Sequence, residues 1–366
     1  MHNGYSHNTI WKQIQGYLPE ENRLNDAHMP TEEWMEIGEN TIHIDHYHQG
    51  NAKGVVILYH GVGGNGRLLS FIAVPLHKAG YEVICPDLPL YGHTVCTGKI
   101  TYSDWVACGT EIADKYQKDG QPLYLFGLSA GGMLAYHVSC RLKYVTGLLT
   151  TCLLDQRISR VTRETAASSM MAVLGKPILN LTHSFVGKLK LPMKMVCNMK
   201  AIVNNEALAE LLMSDPTSSG TKVTLAFLHG MLNPKIEIEA SDYRKCPVLL
   251  VHPEKDYWTD VSLSRLFFDR IPAPKELKML RGAGHFPIEP EGLKQLEEYC
   301  IAFMNRTSNA IHQLQENCHF PYTRFKRPLT QIFAPTVCFY PYIFSGYHPS
   351  NASRSFSSAR FSIRET

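Results

Sequence analysis

None of the ten cysteines in this 366-residue chain stands in a CxxC pair, and none has the spacing of a Cys/His zinc site. That excludes the common zinc-ribbon and dithiol frameworks. Eight of the ten are spread singly through the body, several inside apolar runs such as Val83-Ile84-Cys85, and read as buried thiols of a reducing compartment. The N-terminus, Met1-His2-Asn3-Gly4-Tyr5, lacks a basic segment followed by an apolar stretch. No secretory signal is visible there, and a cytoplasmic location is expected. A marked charge imbalance is missing too. The net charge is +3, and residues 307–366 hold six Lys/Arg and two Asp/Glu, a local +4, which leaves residues 1–306 at −1. A near-neutral body carries no electrostatic footprint for nucleic acid, and no nucleic-acid partner is expected. From Pro328 to Ser353 there is no Asp, Glu, Lys or Arg, but Pro335, Pro341 and Gly346 interrupt the stretch. Stable membrane insertion is therefore not expected. No internal repeat is seen.

What is present is an alternation. Thr41–His48 alternates apolar and polar residues as a half-buried strand does. Gly54–Tyr59 is a continuous apolar run, as in a strand covered on both faces, and ends in the glycine-dense turn His60–Gly66. Tyr81–Cys85, Leu123–Phe126, Val145–Leu154, Cys246–Val251 and Leu277–Leu280 read as further strands. Ser103–Gln117 (with Ser103 as N-cap), Ala130–Leu142 and Glu291–Phe303 read as helices. Strand, glycine turn and helix at this spacing imply an α/β protein with a doubly wound, mostly parallel sheet. The pattern pauses over residues 156–243, which read as a helical cap inserted between two halves of one sheet. The expected organisation is an N-terminal extension over 1–40, a core of 41–155 and 244–306, the cap, and a poorly ordered tail over 307–366. That tail holds eleven of the 33 Phe and Tyr.

Gly127-Leu128-Ser129-Ala130-Gly131 matches G-x-S-x-G, the strand-to-helix elbow that exposes a nucleophilic serine. A serine hydroxyl needs a base to take its proton. Among 17 histidines, His285 follows a strand, sits in the glycine turn Gly282-Ala283-Gly284-His285 and precedes the last helix. His2, His7, His28, His43, His46 and His48 read as surface residues, and His60 as a residue that shapes the neighbouring loop. The imidazole in turn needs a carboxylate to orient it. Asp256, four residues beyond His252, is the first choice; Asp155, at the end of another strand, is the alternative, with Glu254 and Asp260 read as solvated or capping. The oxyanion of a tetrahedral intermediate would take the backbone N–H groups of Val62 and Ala130.

With these residues in place, residues from about 40 to 305 resemble the α/β-hydrolase superfamily, in particular its monoacylglycerol-lipase-like and serine-aminopeptidase-like branch. The carrying motifs are His60-Gly61, the stretch Asp87–Thr94, Gly127–Gly131, Glu254-Lys255-Asp256 and Gly282–His285. Many relatives read D-x-R-G-x-G-x-S where this chain keeps Asp87 and Gly92 but has Pro89 and Leu90; the departure falls on a structural stretch. The resemblance implies a serine hydrolase with the triad Ser129, Asp256 and His285, no metal or organic cofactor, and a small-molecule ester as partner. The insert holds seven of the 13 methionines interleaved with Lys188, Lys190, Lys194 and Lys200, which suits either a lipophilic pocket or an ordinary Met-rich core. Acyl transfer, thioester or amide cleavage and C–C hydrolysis would use the same triad, and a non-catalytic binding protein on this scaffold is a rival from another class. Serine in place of aspartate at the elbow disfavours dehalogenase and epoxide-hydrolase chemistry.

Overall fold

The computed structural model describes residues 4–167 and 175–317. Expectations that fall on residues 318–366, and on Met170 and Met171 in the insert, lie outside the described residues.

Eight strands form one sheet, and all but one run the same way. They are β1 (Thr31–Ile37), β2 (Asn40–Tyr47), β3 (Val55–Tyr59), β4 (Glu82–Pro86), β5 (Leu123–Gly127), β6 (Gly147–Thr150), β9 (Val248–Pro253) and β10 (Lys275–Leu280). The spatial order is β1-β2-β4-β3-β5-β6-β9-β10, with β2 antiparallel to both neighbours and every other pair parallel. Helices α1 (Ile10–Gln15), α2 (Ser70–Lys78), α3 (Tyr102–Tyr116), α4 (Ala130–Arg141), α9 (Val261–Phe268) and α10 (Pro290–Asn317) belong to the body. Between β6 and β9 the insert adds α5 (Ser159–Thr165), α6 (Lys176–Val186), α7 (Glu206–Ser214), α8 (Leu225–Leu232) and a small two-stranded antiparallel sheet, β7 (Lys190–Pro192) with β8 (Lys222–Thr224). The α/β architecture expected from the alternation is the one observed.

Strands β3, β4, β5 and β9 are buried along their whole length, which is why they read as unbroken apolar runs. Their register sets the working edge. Tyr59 pairs Gly127, Gly127 pairs Thr150, and Thr150 pairs Leu250, so β3, β5 and β6 end in one line while β9 runs three residues further. Parallel strands must place their C-terminal ends on one edge, and there the connecting loops converge. Helix α3 begins with a capping box of Thr101 and Asp104, not at Ser103 as the sequence suggested. Its buried residues Trp105, Cys108, Ile112 and Tyr116 fall on one stripe against the sheet.

Three expectations are changed. The sheet starts before residue 41, because β1 lies within the stretch read as an extension. Helix α10 continues past residue 306 to Asn317, and Thr307 is buried, with its hydroxyl and that of Ser308 bonded to the Tyr124 hydroxyl at 3.0 and 2.7 Å. Most informative is β2, which is buried on both faces rather than half-buried. His43 and His46, read as surface residues, are both buried. His43 lies 2.9 Å from Asp87 and 2.9 Å from Glu32, while Asp45 holds Arg67 through two bonds of 2.5 and 2.8 Å. The Arg67 guanidinium lies over the rings of Tyr5 and Trp11, 4.5 and 4.8 Å from their centres, and the Tyr5 hydroxyl donates to Asp87 at 3.0 Å. A segment far away in the chain thus covers charges that look solvated in the sequence.

Burial by itself would lower the His43 pKa, but Asp87 and Glu32 outweigh it and raise it from the ordinary 6.5 to about 10. Stability from this group is therefore fully present below pH 6.5 and is lost as the pH rises through 10. His43→Leu leaves buried carboxylates short of a partner and should cost about 3 kcal/mol at pH 6. Urea unfolding of both proteins should show that deficit shrinking between pH 6.5 and 10. A deficit independent of pH would contradict a protonated His43.

Candidate active site

At the end of β5 the chain turns straight into α4, and Ser129 at the corner takes φ 55° and ψ −124°. Among the described residues only Ser129 and Leu90 are non-glycine residues with positive φ. Such a conformation costs on the order of 1–3 kcal/mol and must be held by its surroundings. The holding contacts are the Ser129 N–H on the Thr151 hydroxyl at 2.9 Å and the Leu128 N–H on the Tyr59 carbonyl at 3.0 Å. A side chain at Gly127 would sit on the Gly131 carbonyl, and one at Gly131 on the Tyr59 carbonyl, so the motif's glycines are steric necessities of the turn. Leu90 stands where the pattern D-x-R-G-x-G-x-S has glycine, and its φ of 81° is one that glycine adopts without strain.

His285 leaves β10 through the turn at Gly282, whose φ is 67°. Its Nε2 is 2.7 Å from Ser129 Oγ, and its Nδ1 is 2.7 Å from Asp256 Oδ2. Asp256 follows the long end of β9. The structure therefore brings together Ser129, His285 and Asp256, three residues far apart in sequence. Burial would raise the Asp256 pKa, but the charge and hydrogen bond of His285 and the bonds from Thr259 outweigh it and lower it to about 2. An ionised carboxylate only accepts hydrogen bonds, so it holds an imidazole proton on Nδ1 and leaves Nε2 facing the serine hydroxyl.

The alternative acid is occupied elsewhere. Asp155 is buried and grips the Arg157 guanidinium at 2.9–3.2 Å, and Arg157 also binds Glu239. Asp260 caps α9 through the Ser262 N–H, and Glu254 accepts from Gly282.

Sequence reasoning missed the residues that fix Asp256. The backbone N–H groups of Trp258 and Thr259 donate to its Oδ1 at 3.0 and 2.8 Å, and the Thr259 hydroxyl donates to Oδ2 at 2.7 Å. The spacing Asp-x-x-Thr is that of an Asp side chain closing a local turn on N–H groups two and three residues on, and so could have been noticed. Trp258 also lays its indole 4.8 Å from the His285 ring.

The loop His60–Gly66 completes the edge. His60 is fully buried, and burial lowers its pKa to about 4, so it is neutral. Its Nε2 accepts the Leu88 N–H at 3.0 Å, which leaves its proton on Nδ1 for the Gly61 carbonyl at 2.7 Å. The ring thereby tacks the loop to the segment after β4. Asp87 adds a bond from the Gly66 N–H, and the insert adds one from the Ser219 hydroxyl to the Gly63 carbonyl. Val62 and Ala130 flank Ser129 on the wall of a cavity of about 320 Å³. Ala130 opens α4, so its N–H has no intrahelical acceptor. The rest of that wall is largely apolar, drawn from α4, α6, α8 and Trp258.

Of the methionines and lysines that stood out in the insert, Met231 lines this cavity, Met193 and Met199 are buried, and Lys188, Lys190 and Lys200 are exposed. As for metal ligands, Glu33, His46 and His48 approach one another on β1 and the end of β2, as do Glu32, His43 and Asp45. In both groups the histidines already bridge carboxylates: His46 joins Glu33 to Glu82, and His43 joins Glu32 to Asp87. Cys152 lies beside Asp256 and His285, but burial pushes its thiol up to about 12 and keeps it protonated. Among the described residues no helix is long and apolar enough to cross a membrane.

Comparison with known proteins gives this geometry a family. Over 85 residues the chain is 33% identical to a thermostable monoacylglycerol lipase of Bacillus sp. (strain H-257), covering 23% of this chain and 34% of that protein, so it spans about a third of that relative. A soluble variant of monoglyceride lipase from Saccharomyces cerevisiae, solved with a substrate analogue, superposes with a TM-score of 0.63 at 19% identity, over 79% of this chain and 98% of that one. Monoacylglycerol lipase from Paleococcus ferrophilus does so with a TM-score of 0.58 at 18% identity, over 75% and 100%. At such identities the likeness establishes the α/β-hydrolase fold. Residues 50–289, about two thirds of the chain, match the family model described as serine aminopeptidase, S33. With that match and this fold, the chain belongs to the serine aminopeptidase S33 family of α/β hydrolases.

Proposed function

We propose that the protein hydrolyses lipophilic carboxylic esters, with monoacyl esters as the leading substrate class, through an acyl-enzyme on Ser129. The observation that carries this reading is the unbroken relay from Ser129 Oγ to His285 Nε2 and from His285 Nδ1 to Asp256, at 2.7 Å for each step. His285 takes the serine proton as Oγ attacks the carbonyl carbon, then delivers it to the leaving alcohol. A water molecule deprotonated by the same Nε2 releases the acid and restores the serine. The N–H groups of Val62 and Ala130 would stabilise the oxyanion, each worth about 3 kcal/mol in the transition state. Residues 156–243 would act as a cap, since their helices supply most of the apolar wall beside Ser129. Such a wall suits an acyl chain and offers no cluster of charges for a polar substrate. The similarity to monoacylglycerol lipases points the same way.

The test is a series of p-nitrophenyl esters of increasing acyl length, alongside monoacylglycerols, with a fluorophosphonate probe on the same preparation. The expected result is stoichiometric labelling of Ser129 and kcat/KM that rises with chain length until the cavity is filled. Folded protein that takes no label and cleaves no ester would overturn the proposal.

A further inference from the structure

Donors to an oxyanion stabilise the transition state only if they are already aimed when the charge develops. The loop that carries the Val62 N–H is poorly suited to aim anything by itself. Four of the six residues from 61 to 66 are glycine, the residue with the most backbone freedom to lose. The turn from Gly61 to Gly64 is closed by the Gly64 N–H on the Gly61 carbonyl at 3.1 Å, and Gly63 within it takes φ 79°. What grips this turn from outside therefore decides where the Val62 N–H points.

The body holds the two ends of the loop, through His60 at the Gly61 carbonyl and Asp87 at the Gly66 N–H. The insert grips the middle. Ser219, itself buried, donates its hydroxyl to the Gly63 carbonyl at 2.8 Å. A side chain at Gly63 would meet Met199 and that same hydroxyl, so the insert packs directly on the turn. Two residues earlier, the Thr217 hydroxyl accepts from Asn65 Nδ2 at 3.1 Å, and the Thr217 carbonyl accepts the Gly92 N–H at 2.8 Å. The Thr221 hydroxyl adds a bond to the Leu90 carbonyl at 3.2 Å. Residues 215–221 thus clasp together the loops that follow β3 and β4. The clasp has its own internal frame. The carboxylate of buried Asp215 accepts the Thr217 N–H, the Thr217 hydroxyl and the Ser218 hydroxyl at 2.8–2.9 Å. A fully engaged buried carboxylate makes the segment a preorganised element.

We infer that Ser219 is a positioning residue for the reaction, acting through the Gly63 carbonyl to hold the Val62 N–H toward the oxyanion. This rests on the ester-hydrolase reading and assigns what completes its oxyanion site. The insert then does more than wall the cavity. The site is whole only while residues 215–221 are seated on the loop.

The experiment removes the bond and reads the oxyanion separately from the binding of the chain. Ser219→Ala should lower kcat on the best p-nitrophenyl ester by roughly tenfold, the worth of one buried hydrogen bond, with KM close to wild type. An alkyl trifluoromethyl ketone isolates the effect. Ser129 Oγ adds to its carbonyl carbon, the serine proton passes to His285, and the carbonyl oxygen becomes a hemiketal oxyanion facing the Val62 and Ala130 N–H groups. The corresponding secondary alcohol carries the same chain and forms no adduct. Ser219→Ala should weaken the ketone by about the same factor as kcat and leave the alcohol unchanged. A serine that merely packed would lower the melting temperature and leave the ratio of the two affinities where it was. Thr217→Val loosens the clasp at Asn65 and Asp215 while keeping Ser219. It should move the same ratio in the same direction by a smaller factor, even if the first variant folds poorly. Wild-type kcat in both folded variants, or an equal loss of ketone and alcohol affinity, would overturn the inference and leave the ester-hydrolase reading intact. Wild-type protein that forms no adduct with the ketone and cleaves no ester would count against that reading itself.

Discussion

Replacing Ser129 by alanine is expected to lower kcat on the best p-nitrophenyl ester by roughly 10⁶, and to abolish fluorophosphonate labelling, with the fold unchanged. The size follows from what the hydroxyl does. Without it there is no acyl-enzyme, and hydrolysis must proceed by direct attack of water. The elbow strain at φ 55° is held by backbone and by Thr151, so alanine at that corner inherits the same turn. A residual rate of roughly 10³ over the uncatalysed reaction should remain, because in the proposed mechanism the Val62 and Ala130 N–H groups and the apolar cavity would still bind the transition state. His285→Ala should cost about as much, and the double variant little more than either single one, since serine and imidazole act as one unit. An alanine variant that keeps wild-type turnover, or still takes up the label, would sink the assignment of the nucleophile.

Asp256→Asn is expected to lower kcat by about 10⁴ while leaving KM close to wild type. Asparagine would present an N–H to an imidazole Nδ1 that now carries a proton, and the ring would shift that proton to Nε2, where it can no longer accept from Ser129. Asp155→Asn is the control. Its carboxylate grips Arg157 rather than His285, so the loss should appear in stability, about 2 kcal/mol, and not in the chemical step. A larger fall in kcat from Asp155→Asn than from Asp256→Asn would mean that the acid has been misassigned. Stability adds an independent readout. The folded pKa of Asp256, about 2 against an ordinary 3.8, gives wild type an advantage present above pH 3.8 that is lost as the pH falls towards 2. Asparagine has no such dependence, so unfolding of the two proteins should converge across that window.

The serine elbow was legible because its requirements are local. A small residue two before and two after the serine, an apolar strand ahead and a helix behind are all contiguous, and the clash that a side chain at Gly127 or Gly131 would make is with the turn itself or the adjacent strand. His285 was legible for a similar reason, a glycine turn between a strand and the last helix. Asp256 against Asp155 could not be settled so directly. Both follow buried strands at the same edge, and what separates them is Arg157 beside one and Thr259 with His285 beside the other. The histidines of β2 were misread because alternation reports which residues are polar but not what lies over them. Tyr5 and Trp11 cover Arg67 from a segment that carries no periodic signal.

By itself, then, the order of residues determined the alternating strands and helices, the parallel sheet that helical crossovers allow, and the place of the serine elbow, because each depends on local pattern. Only the tertiary structure decided which carboxylate faces the imidazole and which charges are buried. Those outcomes depend on distances between segments a hundred residues apart, and burial, which sets both the pKa values and the cost of an unmatched polar atom, exists only once the chain has closed on itself.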